Sequence, residues 1–467
     1  MTLSGYFWFI MAYIVVVVFY GLYIAKTQVK TNEEFVTCGR RLPLWIVVGT
    51  LIATWYGGGG ITGTANLVYT RGPWAGLIYE LATPVAIILV LFLAGRIREN
   101  KNVTIPELFR EKYGDAASVL ATIFIVLAYI GICSYQFKGA GYVLNLTTGL
   151  SVEAGTLLAA VVIILLSVTG GLTSVAYTDA VSAIFIFAAM GASVPVLLSQ
   201  TGGFSGLLSQ IPADHLKFAS GDKFIDTIGY GVATLFLAMG DQNLFIRFAA
   251  AKDKKTATTS ALLFIIISTM LSCMTVFIAM NAIPYLKDIK PDTALLSVAM
   301  YRLPFFLGGC VLAAAVSFMI TTGDSFLLSA GTNIAHDVLE PYFMKNCSDD
   351  KKLAAIRILI IICGIFSYIL ITVFRDILGI IMYAYTIYGA AITPALVAAL
   401  CWPRVTRTGG LASIIAGGAS TLIWEIFLKG KISGLDSALV AVPISIAVLI
   451  IVSLAGKAET KKTAILQ

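Results

Sequence analysis

Apolar residues fall into thirteen runs, near positions 5–25, 44–70, 74–95, 117–148, 154–170, 174–200, 224–248, 257–283, 304–332, 354–374, 376–402, 408–428 and 437–455. At about 1.5 Å of rise per helical residue, such runs match a hydrocarbon layer of about 30 Å. Backbone groups inside lipid must be satisfied within the segment, which favours helices. The pattern therefore predicts an all-α polytopic membrane protein with about 13 transmembrane helices. The two longest intracellular connections, about 96–116 and 333–353, carry Pro, Asp, Lys and Arg and read as solvated loops. No connection is long enough for a separate soluble domain.

Two runs are interrupted. The second contains Ala53-Thr54-Trp55-Tyr56-Gly57-Gly58-Gly59-Gly60-Ile61-Thr62-Gly63-Thr64. Each glycine in a helix interior costs roughly 1 kcal/mol relative to alanine. Broken backbone at membrane depth is tolerated where it is buried in protein or lines a cavity. A Gly-rich packing face is the alternative, but four glycines in a row carry no small-xxx-small spacing. Interrupted spans point to the binding site of a secondary transporter. The seventh run is interrupted around Ala238-Met239-Gly240-Asp241-Gln242-Asn243. Five spans separate the two breaks, as expected of two five-span units of opposite orientation. The chain then reads as a single transmembrane domain, 1–467. It divides into a pre-core helix and loop (1–43), a first repeat (44–200), a second repeat (224–402) and two C-terminal helices with a tail (403–467).

Composition agrees: 58% of residues are hydrophobic, 12% are charged and the mean hydropathy is +0.91. Soluble domains carry about 25% charged residues. The net charge of +7 reads as topology, not as nucleic-acid binding. Of 32 Lys and Arg, 22 fall in one alternating set of loops and tails and 9 in the other, with Lys138 inside a span. The positive-inside rule then places the N-terminus outside and the C-terminus in the cytoplasm of a cell-membrane protein. The first run lacks a basic leader and a small-residue cleavage site, and reads as a retained span. Seven cysteines are scattered without a CxxC pair, which implies no disulfide framework.

Ionisable residues at membrane depth are expensive and mark function by default. Five stand out: Glu80, Lys138, Asp179, Asp241 and Asp324. Four are acids, which suits a cation. Asp179 and Asp324 each lie roughly 7–12 Å from a cytoplasmic helix end and share similar depth. Thr321, Asp324 and Ser325 share one helix face, as do Thr322 and Ser325. Hydroxyls, a carboxylate and freed carbonyls form a hard-oxygen set that suits sodium. The alternative is that the hydroxyls bond their own helix and the acids pair with Lys or Arg. Asp241 is also a favourable cap for a restarted half-helix. Trp55 at the break can stack on a solute or meet an ammonium group. Lys138 can neutralise an acid or contact an anionic group.

Other classes lack their signatures. There is no HExxH, no P-loop and no TVGYG-like filter, which argues against an enzyme or a channel. His215 falls in a loop and His336 at a helix end, which argues against a histidine relay. Proton coupling through Asp179 or Asp324 is the runner-up to sodium.

Three segments resemble the sodium:solute symporter family over about residues 5 to 410. Gly170-Gly171-Leu172-Thr173-Ser174-Val175-Ala176-Tyr177-Thr178-Asp179 looks like its GG-x-x-[AS]-V-x-[WY]-T-D signature. Thr321-Thr322-Gly323-Asp324-Ser325-Phe326-Leu327-Leu328-Ser329 looks like its S-T-x-D-S-x-L-x-S segment. Asp241-Gln242 through Arg247-Phe248-Ala249-Ala250-Ala251-Lys252 resembles its D-Q…R…AAK stretch. The resemblance implies a LeuT-type fold and sodium-coupled import of a small organic solute by alternating access, with no cofactor beyond the coupling ion. It implies a sodium site of the Ala53, Tyr56 and Phe318 carbonyls with the Thr321 and Thr322 hydroxyls. A second sodium site or release path would use Asp179, Thr321, Asp324 and Ser325. Glu80 and Asp241 match polar sugar contacts of the sodium/galactose branch, whereas Gly60 stands where that branch has a polar side chain. Span two looks most like the high-affinity choline transporters, with Trp55 at the place of a choline-stacking Trp. At the matching Trp of span seven this chain has Asp241, so tyrosines such as Tyr79 or Tyr385 would have to complete an aromatic box. The resemblance thus implies a solute pocket from Trp55, Gly60, Glu80, Asp241 and Thr386, with choline-like, other amine-bearing, sugar, proline-like or monocarboxylate solutes as candidates.

Overall fold

The computed structural model describes residues 5–28, 38–99, 102, 104–218, 224–373, 377–429, 431 and 434–456. Lys30, Lys101, Lys223, Arg375, Lys457, Lys461 and Lys462, counted above in the charge balance, lie outside the described residues. Within them the fold is helical, and the one β contact is an isolated bridge between Leu42 and Ala251. The helices are α1 (Gly5–Gln28), α2 (Leu44–Trp55), α3 (Thr64–Arg71), α4 (Pro73–Glu99), α5 (Ile105–Tyr113), α6 (Asp115–Thr148), α7 (Val152–Thr201), α8 (Gly203–Gln210) and α9 (Phe224–Gly240). They continue as α10 (Gln242–Ala250), α11 (Lys254–Met280), α12 (Ala294–Tyr301), α13 (Phe305–Asn333), α14 (Asp349–Val373), α15 (Ile377–Ala391), α16 (Thr393–Cys401), α17 (Arg407–Ile423) and α18 (Ala438–Ala455).

Each apolar run is helical, but the expected count of thirteen spans is not confirmed. By length and apolar character, eleven helices among the described residues can cross a membrane, or twelve with the bent pair Leu44–Trp55 and Gly59–Arg71. The seventh run is the shortfall: α9 has 17 residues and stops at Asp241 before α10. The runs at 154–170 and 174–200 are two spanning helices, labelled together as α7, that meet at a kink where Gly171 leaves helical geometry at φ 63°, a value open to glycine at little cost.

The two connections expected to be solvated loops are so only in part: residues 343–348 form an exposed turn, but both connections also contain buried helix. α5 lies within 96–116 and buries Ile105, Leu108, Phe109 and Tyr113. Its start is set by Thr104, which accepts a hydrogen bond from the Glu107 N–H at 3.1 Å, and its end by Gly114 at φ 93°. After Asn333, α13 runs on through a wide helical turn, Ile334–Leu339, that buries Asp337. A solvated loop would not bury these side chains.

The apolar pattern divides inner helices from outer ones. α13 is buried on all sides from Gly308 to Asn333 and packs against α7, α6 and α1. A helix apolar all round belongs in the interior. Val16, Phe19, Phe92, Ile365, Phe366 and Ile451 stay exposed on α1, α4, α14 and α18, as a lipid-facing rim requires.

Candidate functional site

The site is built at the two breaks. α2 ends at Trp55, and Tyr56 leaves helical geometry at φ −84° and ψ 37°. The chain then turns through Gly57 and Gly58 and restarts in a wide turn, Gly59–Gly63, bent 57° from α2. Side-chain ends pack closely against the glycine backbone here. A Cβ on Gly59 would lie 2.5 Å from the Tyr385 hydroxyl and 3.0 Å from that of Tyr79.

On the α13 side of the break, the Thr322 hydroxyl donates to the Ala53 carbonyl at 2.9 Å. The Thr321 hydroxyl turns to the Phe318 carbonyl at 3.4 Å. Ala53, Phe318, Thr321 and Thr322 are all buried. The Thr322 bond joins α13 to α2, whereas the Thr321 bond stays within α13, as the alternative of hydroxyls bonded to their own helix expects; all four groups are oxygens of the kind a small hard cation takes. Tyr56 closes the break from the other side: its hydroxyl donates to the Ser268 carbonyl at 2.6 Å and meets the Ser272 hydroxyl at 2.5 Å.

Asp179 is fully buried on α7 and does not stand alone. Its Oδ2 accepts from the Thr50 hydroxyl at 2.6 Å and the Thr54 hydroxyl at 3.3 Å. It also pairs with Arg247 at 3.5 Å. Arg247 belongs to α10 and is 1% exposed, although the charge pattern placed it in an intracellular loop. Its guanidinium donates to the Thr50 hydroxyl at 2.9 Å, the Asn243 carbonyl at 3.1 Å and the Ser325 hydroxyl at 2.8 Å. One buried cation therefore ties α10 to α2, α7 and α13. Ser329 donates to Asn243 at 2.6 Å and the Gln242 amide donates to Asn333 at 2.5 Å, so the polar contacts of α10 continue along α13. Asp324, next to Ser325, lines a cavity between α1, α7 and α13 with Tyr13, Ser174, Thr178, Ser317 and Thr321.

Close helix approach makes this junction possible. A Cβ on Gly49 would fall 2.5 Å from the Ala180 Cα. Gly49 lets α2 lie against α7, which sets Thr50 against Asp179. Gly49→Val should therefore force the helices apart and destabilise the protein by about 1–3 kcal/mol. Thermal unfolding of the purified variant checks this; an unchanged midpoint refutes the close approach.

The remaining expected solute residues are spread around the break. Glu80 is buried on α4 and accepts from the Thr64 hydroxyl and, at 3.1 Å, from the Ser272 hydroxyl. Asp241 caps α10 by accepting from the Leu244 N–H at 3.1 Å, and its other oxygen accepts from the Tyr129 hydroxyl at 3.0 Å. Both carboxylates thus hold protein groups. Gly60 sits in the wide turn, Trp55 is half-buried at the end of α2, and Thr386 is fully buried on α15. Lys138 lies half-buried on α6 and has an interaction partner. Four residues that sequence reasoning passed over or left in the background complete the break. Tyr79 and Tyr135 both meet the Tyr385 hydroxyl, at 3.3 and 3.2 Å, and the Tyr79 and Tyr385 rings stack at 6.2 Å. Gln136 accepts from the Gly58 N–H at 2.6 Å. A neutral amide within an apolar span was the available signal for it.

This chain resembles known proteins over most of its length. It is 25% identical over 391 residues to the osmoregulated proline transporter OpuE of Bacillus subtilis, covering 79% of each chain. It is 25% identical over 418 residues to the high-affinity choline transporter 1 of Caenorhabditis elegans, covering 84% of this chain and 71% of that one. Its fold matches an outward-open, substrate-bound Na+-coupled sialic acid symporter with a TM-score of 0.83 at 15% identity, over 97% of this chain and 98% of the other. MhsT in complex with L-phenylalanine matches at a TM-score of 0.57 and 13% identity, over 88% and 98%. Together with the two broken spans, this is the LeuT-type architecture that the sequence led us to expect. The sequence pattern of the sodium:solute symporter family matches residues 35–417, and the chain belongs to that family.

Proposed function

We propose that the protein is a secondary active symporter that uses the sodium gradient to import a small organic solute. The observation that carries this reading is the bond from the Thr322 hydroxyl on α13 to the Ala53 carbonyl at the broken span, with Phe318 and Thr321 on the same helix as Thr322. A sodium ion there, with the Tyr56 carbonyl as a further ligand, would bridge α2 and α13. Binding at a junction between elements is how an ion biases one arrangement over another. Asp179, Asp324 and Ser325 form a second region for sodium or its release, with Arg247 holding Asp179 in place. The solute sits at the break, near Trp55, Gly60 and Thr386, while Glu80 and Asp241 frame it. The repeats run over 44–200 and 224–402, the protein sits in the cell membrane, and the N-terminus lies outside with the C-terminus in the cytoplasm. Relatives that carry proline and choline support a small solute with a charged group.

Reconstitution in proteoliposomes tests this. Under an inward sodium gradient, a radiolabelled solute from a panel including L-proline and choline should accumulate above its external concentration. Collapse of the gradient with a sodium ionophore should abolish accumulation. Equal accumulation driven by a proton gradient without sodium would overturn the reading.

A further inference from the structure

We propose that Gln136 is the solute-reading residue at the break and that the solute it selects carries a carboxylate. The inference rests on the symport reading and adds the solute's chemistry to it.

The first ground is what the acids are doing. Glu80 holds the Thr64 and Ser272 hydroxyls, and Asp241 holds Tyr129 and the Leu244 N–H. They are 4% and 2% exposed. Each accepts from two neutral protein donors.

The second ground is a surplus of donors. Gln136 is fully buried, its Oε1 is taken by the Gly58 N–H, and its Nε2 has no hydrogen-bond partner. Leaving such a donor unmatched is unfavourable in the folded protein, and an acceptor on a ligand would satisfy it. A Cβ on Gly57 would lie 2.7 Å from this nitrogen and 2.6 Å from the Thr322 hydroxyl, so the amide stands beside the proposed sodium ligands. Tyr79, Tyr135 and Tyr385 bring three hydroxyl protons to two mutual hydrogen bonds, which leaves one proton to give. The Thr386 hydroxyl, next to Tyr385 in the chain, is buried and unpartnered as well. Gln136 and the tyrosines press on Gly57 to Gly59, where the half-helix after the break begins and its positive dipole end favours negative charge. These unmatched donors fit an acceptor-rich anion.

Matched probes test the idea on the purified full chain by thermal unfolding, with and without sodium. Glycine betaine and choline share a trimethylammonium group and differ in the carboxylate. L-proline and pyrrolidine share a ring amine and differ in the same way. At least one carboxylate-bearing member should raise the melting temperature in sodium, and its counterpart should not. Gln136→Glu keeps an acceptor for the Gly58 N–H but replaces the donor with an anion. It should weaken that response at least tenfold in concentration while sodium's own stabilisation persists, which also shows that the variant is folded. Gln136→Leu should weaken it too. An equal or larger shift with choline or pyrrolidine, no shift with either carboxylate, or an unchanged response in both variants would overturn the proposal. A carboxylate response that needs no sodium would instead overturn the symport reading and leave the carboxylate preference standing.

Discussion

Replacing Arg247 with Met should destabilise the protein by about 3–5 kcal/mol and abolish transport. Removing one partner of a buried ion pair leaves the other charge uncompensated, and that is the usual size of the loss. Arg247 is 1% exposed and Asp179 is fully buried, so water cannot take over the missing contacts. The variant also loses the hydrogen bonds to Thr50, Asn243 and Ser325, and with them polar ties from α10 to α2 and α13. Arg247→Lys should not rescue, because a point charge cannot serve the four groups that the planar fork reaches. Adding Asp179→Asn to Arg247→Met should recover part of the lost stability by removing the stranded charge. Thermal unfolding of the three variants measures this. A single Arg247→Met variant that melts like the parent would show that the pair does not hold the junction together.

Converting both Thr321 and Thr322 to Ala should raise the sodium concentration for half-maximal uptake by at least tenfold. Each substitution removes a hydroxyl oxygen and leaves the helix backbone intact. An interaction with a charged group contributes about 1.5–3 kcal/mol, and about 1.4 kcal/mol is a factor of ten in affinity. Thr322 should matter more than Thr321, since its hydroxyl already reaches across to the Ala53 carbonyl. Solute affinity at saturating sodium should change less. Thr→Ser replacements, which keep the oxygens, should stay near the parent. Unchanged sodium dependence in the double Ala variant would remove the site from the mechanism.

Much of this architecture was legible in the order of residues. Length and apolarity announce the helices, because lipid leaves the backbone no alternative. The glycine run announces the first break, because four adjacent glycines forfeit helix propensity. Asp241 was readable as a cap as well as a solute contact, and the structure places it as the cap of α10. Three things were hidden. Arg247 sits near the end of a half-helix, where sequence cannot separate a residue facing cytoplasm from one facing protein. The connection near 96–116 looked solvated because its charges mask the apolar face of α5, and that face is visible only once Ile105, Leu108 and Phe109 have something to pack on. Gln136 carries no charge and so raised no alarm, yet its unpartnered nitrogen beside the break is the more specific clue to the solute. Glu80 and Asp241 drew attention by charge alone, and both are occupied by protein donors.

Equilibrium binding of radioactive sodium ion to the purified chain tests the central claim most directly. The parent protein should bind sodium saturably, with potassium failing to compete, and Thr321→Ala with Thr322→Ala should lose that binding while remaining folded. Saturable binding of the same strength in the folded double variant would contradict the account, because the ion would then be held somewhere other than the junction of the broken span and α13.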